Sequence, residues 1–309
     1  MVPAEIFEMI NTSINLYKTC KSFYFHKSIF YKSYIVDLNE PNYLTDIIKH
    51  LVLKYKRIES DYLYYIKSNI YQIINLNKII DLPLQLTHLT LGEYFNQLIT
   101  LPPQLTHFTM GYYFNQVVTL PNHLTHFAMG NNFNQVITLP ESLIELTMGN
   151  DFNQVITLPN HLTYLTMGYR FNQPIIFPKT LTHLTMGYHF NQPIIFPKTL
   201  THLTMGYYFN YSIELPNTLT HLTMGDYFDQ PIELPNTLTQ LNMGLRFNQL
   251  ITLPNTLTHL TVGFCFNYPL ILSKTLKYMK ITVNYNQLIH VEQLSSDIEF
   301  YIEKKQIHL

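Results

Sequence analysis

FNQPIIFPKTLTHLTMGYH runs from Phe171 to His189, and FNQPIIFPKTLTHLTMGYY runs from Phe190 to Tyr208. The two consecutive nineteen-residue blocks differ only in their last residue. Working outward from this pair, the chain has ten glycines: Gly92, Gly111, Gly130, Gly149, Gly168, Gly187, Gly206, Gly225, Gly244 and Gly263, every interval being nineteen. A phenylalanine follows three residues after each, from Phe95 to Phe266, and asparagine follows that phenylalanine nine times in ten, Asp229 being the exception. A proline column runs from Pro83 to Pro254, and Ser273 takes its next place. Self-similarity at a fixed period marks a repeat architecture whose units stack to share one core. The edges fade as capping repeats do: Leu76, Asn77 and Lys78 stand where Phe-Asn-Gln would fall, Tyr285 to Ile289 keeps a variant of it, and beyond that Ile298 and Phe300 hold the register.

Within one unit the apolar residues are Leu86, Leu89, Leu91, Phe95, Ile99 and Leu101. Leu89 and Leu91 alternate with polar neighbours, and so do Ile99 and Leu101, which predicts two short strands per unit. Gly92 ends the first strand and permits a turn that other residues would strain in, while Pro102 closes the second because it cannot donate to a ladder. Stacking turns each position into a column. The Phe95 column becomes a buried aromatic spine, and the Asn96 column turns its amides onto backbone groups of the next coil. No unit has room for a helix on the outer side, so strand spacing is expected on both sides, with weak curvature. The expected fold is mainly β: a leucine-rich-repeat-like solenoid of ten to eleven units, preceded by a small helical region.

Two sets of columns face outward. His88, His107, His126, His183, His202, His221 and His259 share one place in the first strand, with Glu145, Tyr164 and Gln240 filling the other three. They lie beside a threonine column that includes Thr90, Thr185 and Thr204. Zinc needs three or four ligands converging on a point, and a flat row diverges, so the expectation is stacked neutral imidazoles and no metal. The interleaved histidines also spoil the flat face of small side chains that ice binding requires. The second set is the pair after each glycine, which changes from unit to unit and supplies Tyr112, Arg170, Tyr188, Tyr207 and Arg246. Tyrosine and arginine there suit protein contacts, the alternative being an ordinary aromatic-rich turn.

The recurring LPxxLTHLTMGxxFNQPI, as in Leu215 to Ile232, resembles the FNIP repeat family, a leucine-rich-repeat-like group of social amoebae and giant amoeba-infecting viruses. The front of the chain lacks the period. VPAEIFEMI, Val2 to Ile10, places Ile6, Met9 and Ile10 on one helical face, and NLYKTCKSFYFH, Asn15 to His26, is also helix-compatible. Together they resemble an F-box with a shortened middle. That resemblance implies docking on the Skp-type adaptor of a cullin ubiquitin ligase, with Pro3, Ile6, Ile10, Leu16 and Cys20 forming or supporting the docking face. The alternative is a helical cap over the end of the stack. The expected organisation is an F-box-like module over 1–45, a helical linker over 46–75, repeats over 76–291 and a C-terminal cap over 292–309.

The net charge of −1 gives no general pull toward nucleic acid or anionic membrane. Cys20 and Cys265 follow no disulfide or zinc spacing. Glu5 and Glu8 stand where a signal peptide would need basic and then apolar residues, and no apolar run approaches the roughly 18 residues of a membrane span. A soluble cytoplasmic protein is expected, in the host cytoplasm if the source is viral. No phosphate loop, HExxH or nucleophile elbow is present, and Glu141 and Glu145 do not make a catalytic pair without a cleft. No enzyme and no cofactor is expected, but a non-catalytic interaction protein: a substrate-recruiting subunit whose repeats bind an unknown protein target, or a plain scaffold.

Overall fold

Most nineteen-residue units form one coil carrying a single three-residue strand, such as His183–Thr185 or His202–Thr204. The computed structural model describes residues 35–37, 72–76, 82–282, 289–291 and 299–303. The chain divides into two units, Met1–Asn131 and Asn132–Leu309. In the first, Ile35–Asp37, Gln72–Leu76, His88–Leu91, His107–Thr109 and His126–Ala128 pair in parallel, each with the next. In the second, parallel pairing runs from Glu145–Thr147 through Tyr164–Thr166, His183–Thr185 and His202–Thr204 to His221–Thr223, and on through Gln240–Asn242, His259–Thr261 and Tyr278–Thr282 to Glu299–Glu303. Identical positions face each other, as His183↔His202 and Leu184↔Leu203. No helix among the described residues is long and apolar enough to cross a membrane.

Two β-turns bend each coil. The amide of Phe190 donates to the carbonyl of Gly187 at 3.1 Å, and that of Leu200 to the carbonyl of Pro197 at 3.2 Å. The Gly-x-x-Phe and Pro-x-x-Leu columns are therefore turn signatures, and the variable pair after glycine forms the centre of the first turn. The strand leucine, the methionine two residues on and the phenylalanine fill the interior: Leu184, Met186 and Phe190 are all buried. Phenylalanine rings continue from coil to coil with near-parallel planes, as at Phe171–Phe190, 6.1 Å and 6°.

The expected second strand does not form over most of the stack. Ile175–Phe177 alternate buried, exposed, buried but carry no ladder, and among the described residues of the second unit a second-side pair occurs only between Leu270–Leu272 and Ile289–Val291. Coil spacing explains this. Ring centroids in the histidine column lie 4.1 Å apart at His183–His202, those of the buried spine lie 6.1–6.3 Å apart over Phe152 to Phe228, and Phe177–Phe196 on the far side reaches 6.4 Å. Strands must approach to about 4.8 Å to bond. Each coil is thus a wedge with its thin edge at the sheet, in place of the equal spacing and weak curvature expected from sequence. Pro174 and Pro178 also remove donors from this side. Leu270–Leu272 pairs just where Ser273 replaces the proline.

Asparagine spans the widening gap. The amide of Asn191 donates to Oδ1 of Asn172 at 2.9 Å, and Gln192 Nε2 donates to the same atom at 3.2 Å. The link repeats at Asn115, Asn153, Asn172, Asn210 and Asn267. Only an acceptor is needed, so Asp229 substitutes: its Oδ1 takes the amide of Asn248 at 2.9 Å. The expected amide-to-backbone column is present.

The glycine column has a cause other than the one read from sequence. Gly187 does not occupy the left-handed region; a Cβ there would lie 2.1 Å from the carbonyl oxygen of Gly168. Close approach of neighbouring coils, and not turn strain, excludes side chains. The first coil also departs from expectation. Leu76 pairs with Leu91, not with the Phe95 position, across an irregular register in which Gln72 faces His88. Gln72–Leu76 is a strand where helix was expected, because its backbone continues the parallel ladder onto His88–Leu91. The rest of 46–75, and most of the 1–45 module, lie outside the described residues. The segment 292–309 contributes Glu299–Glu303 to the sheet, with Phe300 opposite Met279.

Gly187→Ala is expected to destabilise the chain by about 1–3 kcal/mol through overpacking. Asn172→Leu should cost about 1 kcal/mol by orphaning the Asn191 amide, whereas Asn191→Asp should stay within about 0.5 kcal/mol. Urea unfolding midpoints check all three; equal effects of Asn172→Leu and Asn191→Asp would contradict the acceptor role.

Candidate functional site: the imidazole face and the aromatic turn edge

The strand triplet His-Leu-Thr alternates out, in, out: Leu203 is buried, His202 is half-buried and Thr204 is exposed. The histidine column therefore lies on the open face of the sheet beside the Thr90-type column, as its period-two placement predicts. In the first unit His88, His107 and His126 stack at 4.1 and 4.2 Å. In the second, Tyr164, His183, His202 and His221 stack at 4.3, 4.1 and 4.1 Å. Glu145 lies opposite Tyr164, and Gln240 lies between His221 and His259, so the ring stack is interrupted there.

A second threonine column, which sequence reading passed over, fixes the rings. Thr201 Oγ1 donates to the carbonyl of Thr182 at 3.1 Å and also lies 2.9 Å from Nδ1 of His202. The same pair of contacts occurs at Thr106, Thr125, Thr182, Thr220 and Thr258. The signal was available in the sequence: threonine immediately precedes every histidine of the column.

Loss of surrounding water lowers the pKa of His183 and His202 below the ordinary imidazole range, with His221 and His183 respectively adding repulsion. Burial comes first at His88, His107 and His221 as well, followed by neighbouring imidazoles. Among the described residues no group of three or more His, Cys, Asp or Glu side chains could hold a metal ion.

The turn edge carries the other candidates. Tyr169, Tyr188 and Tyr207 stack at 4.5 and 4.4 Å, and His189 and Tyr208 stack beside them at 5.3 Å. Loss of water around the ring, then the phenols of Tyr207, Tyr208 and Tyr169, push the Tyr188 pKa up to about 12, so it stays a donor. The Arg246 guanidinium lies 3.8 Å over the Tyr227 ring and donates to its hydroxyl at 3.0 Å. Arg170 pairs with Asp151 at 3.4 Å. Tyr112 leans on Tyr113 at 4.7 Å in the first unit. Stacking covers the ring faces between neighbouring tyrosines of this row. Pro3, Ile6, Ile10, Leu16 and Cys20 lie outside the described residues.

The lowered imidazole pKa values give a pH dependence of stability. Above about pH 7.5 the rings are neutral in both states and carry no penalty. As pH falls through about 6.5, the unfolded chain takes up protons that the folded chain resists, so stability declines from there down through the lower folded values. Thermal midpoints should fall between pH 7.5 and 5, and fall less steeply when His183, His202 and His221 are all replaced by Gln, the residue native at 240. A flat wild-type profile would contradict this.

A model of the FNIP repeat matches residues 76–113, 114–151, 133–170, 152–189, 190–227, 209–246 and 228–265. Among solved structures, CroV588, described as a novel circular LRR protein, is similar at 40% identity and a TM-score of 0.61, covering 76% of this chain and 42% of that one. This chain thus spans less than half the length of CroV588. YopM from Yersinia enterocolitica WA-314 is similar at 17% identity and a TM-score of 0.35, covering 76% of this chain and 73% of its own. No curated protein matches the chain significantly. The matched stretches run across the glycine, phenylalanine, asparagine and proline columns of residues 76–265, and the chain belongs to the FNIP repeat family.

Proposed function

We propose that this chain is a substrate-recruiting subunit of a cullin-type ubiquitin ligase working in the cytoplasm, its repeats binding a protein target and residues 1–45 docking an Skp-type adaptor. The leucine-rich-repeat-like solenoid fits a protein-interaction scaffold. The observation that carries target binding is the double outward array on fixed coils: the ordered His183–His221 face and the Tyr169–Tyr207 edge. Both are held by contacts within the stack, so little side-chain freedom is lost on binding. The adaptor half of the proposal rests on the sequence of Val2 to His26 alone. In this reading the chain has no catalytic residue of its own, and the transfer chemistry belongs to its partners.

The test is direct binding of purified full-length chain to a purified amoebal Skp homologue by calorimetry. Wild type should bind, and Ile6→Asp combined with Ile10→Asp should abolish binding while leaving the thermal midpoint of the repeats unchanged. Absence of wild-type binding would remove the ligase role and leave a scaffold capped by its front segment.

A further inference from the structure

The threonine–histidine pairs bear on which ring nitrogen carries the proton. A threonine hydroxyl has one hydrogen, a carbonyl can only accept, and neutral imidazole has one donor and one acceptor nitrogen. Thr182 Oγ1 lies 3.1 Å from the Thr163 carbonyl, Thr201 Oγ1 3.1 Å from the Thr182 carbonyl, and Thr220 Oγ1 3.0 Å from the Thr201 carbonyl. The same carbonyls also accept two backbone amides of the next coil, as the Thr182 carbonyl does from Thr201 and His202 at 2.9 and 3.0 Å; the geometry points to the hydroxyl hydrogen lying toward the carbonyl, because two oxygens 3.0–3.1 Å apart would otherwise face each other with no hydrogen between them. The contacts of 2.8–2.9 Å to Nδ1 of His183, His202 and His221 are then made by Nδ1–H donating to Oγ1. The hydrogen-bond network thus assigns the Nδ1–H tautomer to all three rings, which leaves Nε2 of each as an acceptor. The rings stack 4.1 Å apart with planes 13–14° from parallel, so three acceptors recur at one spacing on a partly solvated face. The imidazoles are disfavoured from protonating by burial and by each other, so the strip stays acceptor-only at neutral pH.

We propose that this strip receives a basic segment of the protein target, its arginine or lysine side chains donating to Nε2 of His183, His202 and His221, and that it turns away acidic segments. A guanidinium offers several N–H groups in a planar fork and can reach two neighbouring acceptors. A carboxylate or phosphate would meet lone pairs and have no donor from the imidazoles. The proposal rests on the target-binding reading above and not on its adaptor half: loss of adaptor docking would leave the strip unaffected.

The experiment uses full-length chain with 15N-labelled histidine rings at pH 7.5 and low salt, titrated with a hexa-arginine peptide and, separately, a hexaglutamate peptide. The column rings should show the nitrogen shifts of the Nδ1–H form. Hexa-arginine should move the Nε2 signals of His183, His202 and His221 saturably, and hexaglutamate should not. Replacing the three histidines with Phe keeps a ring in a column that already accepts Tyr164, and should weaken hexa-arginine binding by about tenfold or more. An Nε2–H shift pattern, equal response to hexaglutamate, or undiminished binding by the triple variant would overturn the proposal. Should that variant not fold, the wild-type tautomer and the two titrations decide it.

Discussion

Coils meet closely at the glycine column, where the Gly168 carbonyl oxygen occupies the place a Cβ on Gly187 would need. That contact sits at the end of the sheet strand, and the rest of the coil is arranged around it. Strands bond directly at the sheet, whereas the Phe177 side stands too far apart for a ladder. Between these edges the chain needs a link longer than a backbone hydrogen bond, and the asparagine side chain supplies it. Glycine, asparagine and phenylalanine are therefore three answers to one geometric fact, the divergence of coils away from the sheet. Each fits the gap found at its own distance from the thin edge.

Much of this was legible in the residues because it depends on position within the period. An exact nineteen-residue repeat fixes which side chains meet, so the Phe95 spine, the Asn96 amide-to-backbone column and the outward histidines followed from alternation and stacking, whereas the acceptor role of the asparagine came from the structure. The angle between coils was not legible. Alternating Ile99 and Leu101 reads as a strand, but a ladder also requires a neighbour within reach. Nothing local in the sequence states the distance to the next coil. Leu76 misled for a related reason: it fits the Phe95 place in the pattern, but the first coil is shorter and carries it to Leu91. Gln72–Leu76 shows the same limit, since its strand state comes from the paired edge beside it.

The candidate site was half legible. Period two put the histidines outward, and their identity suggested stacking. What the rings could do depended on Thr106, Thr125, Thr182, Thr201, Thr220 and Thr258, which attract no notice as common polar residues of a strand. Only in the fold is each hydroxyl seen to reach back to the preceding coil while touching Nδ1 of the adjacent ring. The same backbone spacing that builds the sheet therefore orients the surface chemistry, because one threonine serves both.

This coupling explains why the repeats can be nearly identical and still present a specific surface. Blocks 171–189 and 190–208 repeat every column that touches the next coil, and a change in those columns is transmitted to two neighbours. The two residues after glycine are the centre of a turn, and the histidine place lies on an open face; both have room to vary. Variation is accordingly found as Tyr164 and Gln240 in the histidine column and as Arg170, His189, Tyr208, Tyr227 and Arg246 at the turn edge. A substitution there alters a partner's view while leaving the stack intact. Glu145 and Gln240 interrupt the run of stacked rings, so each run has ends set by the sequence alone.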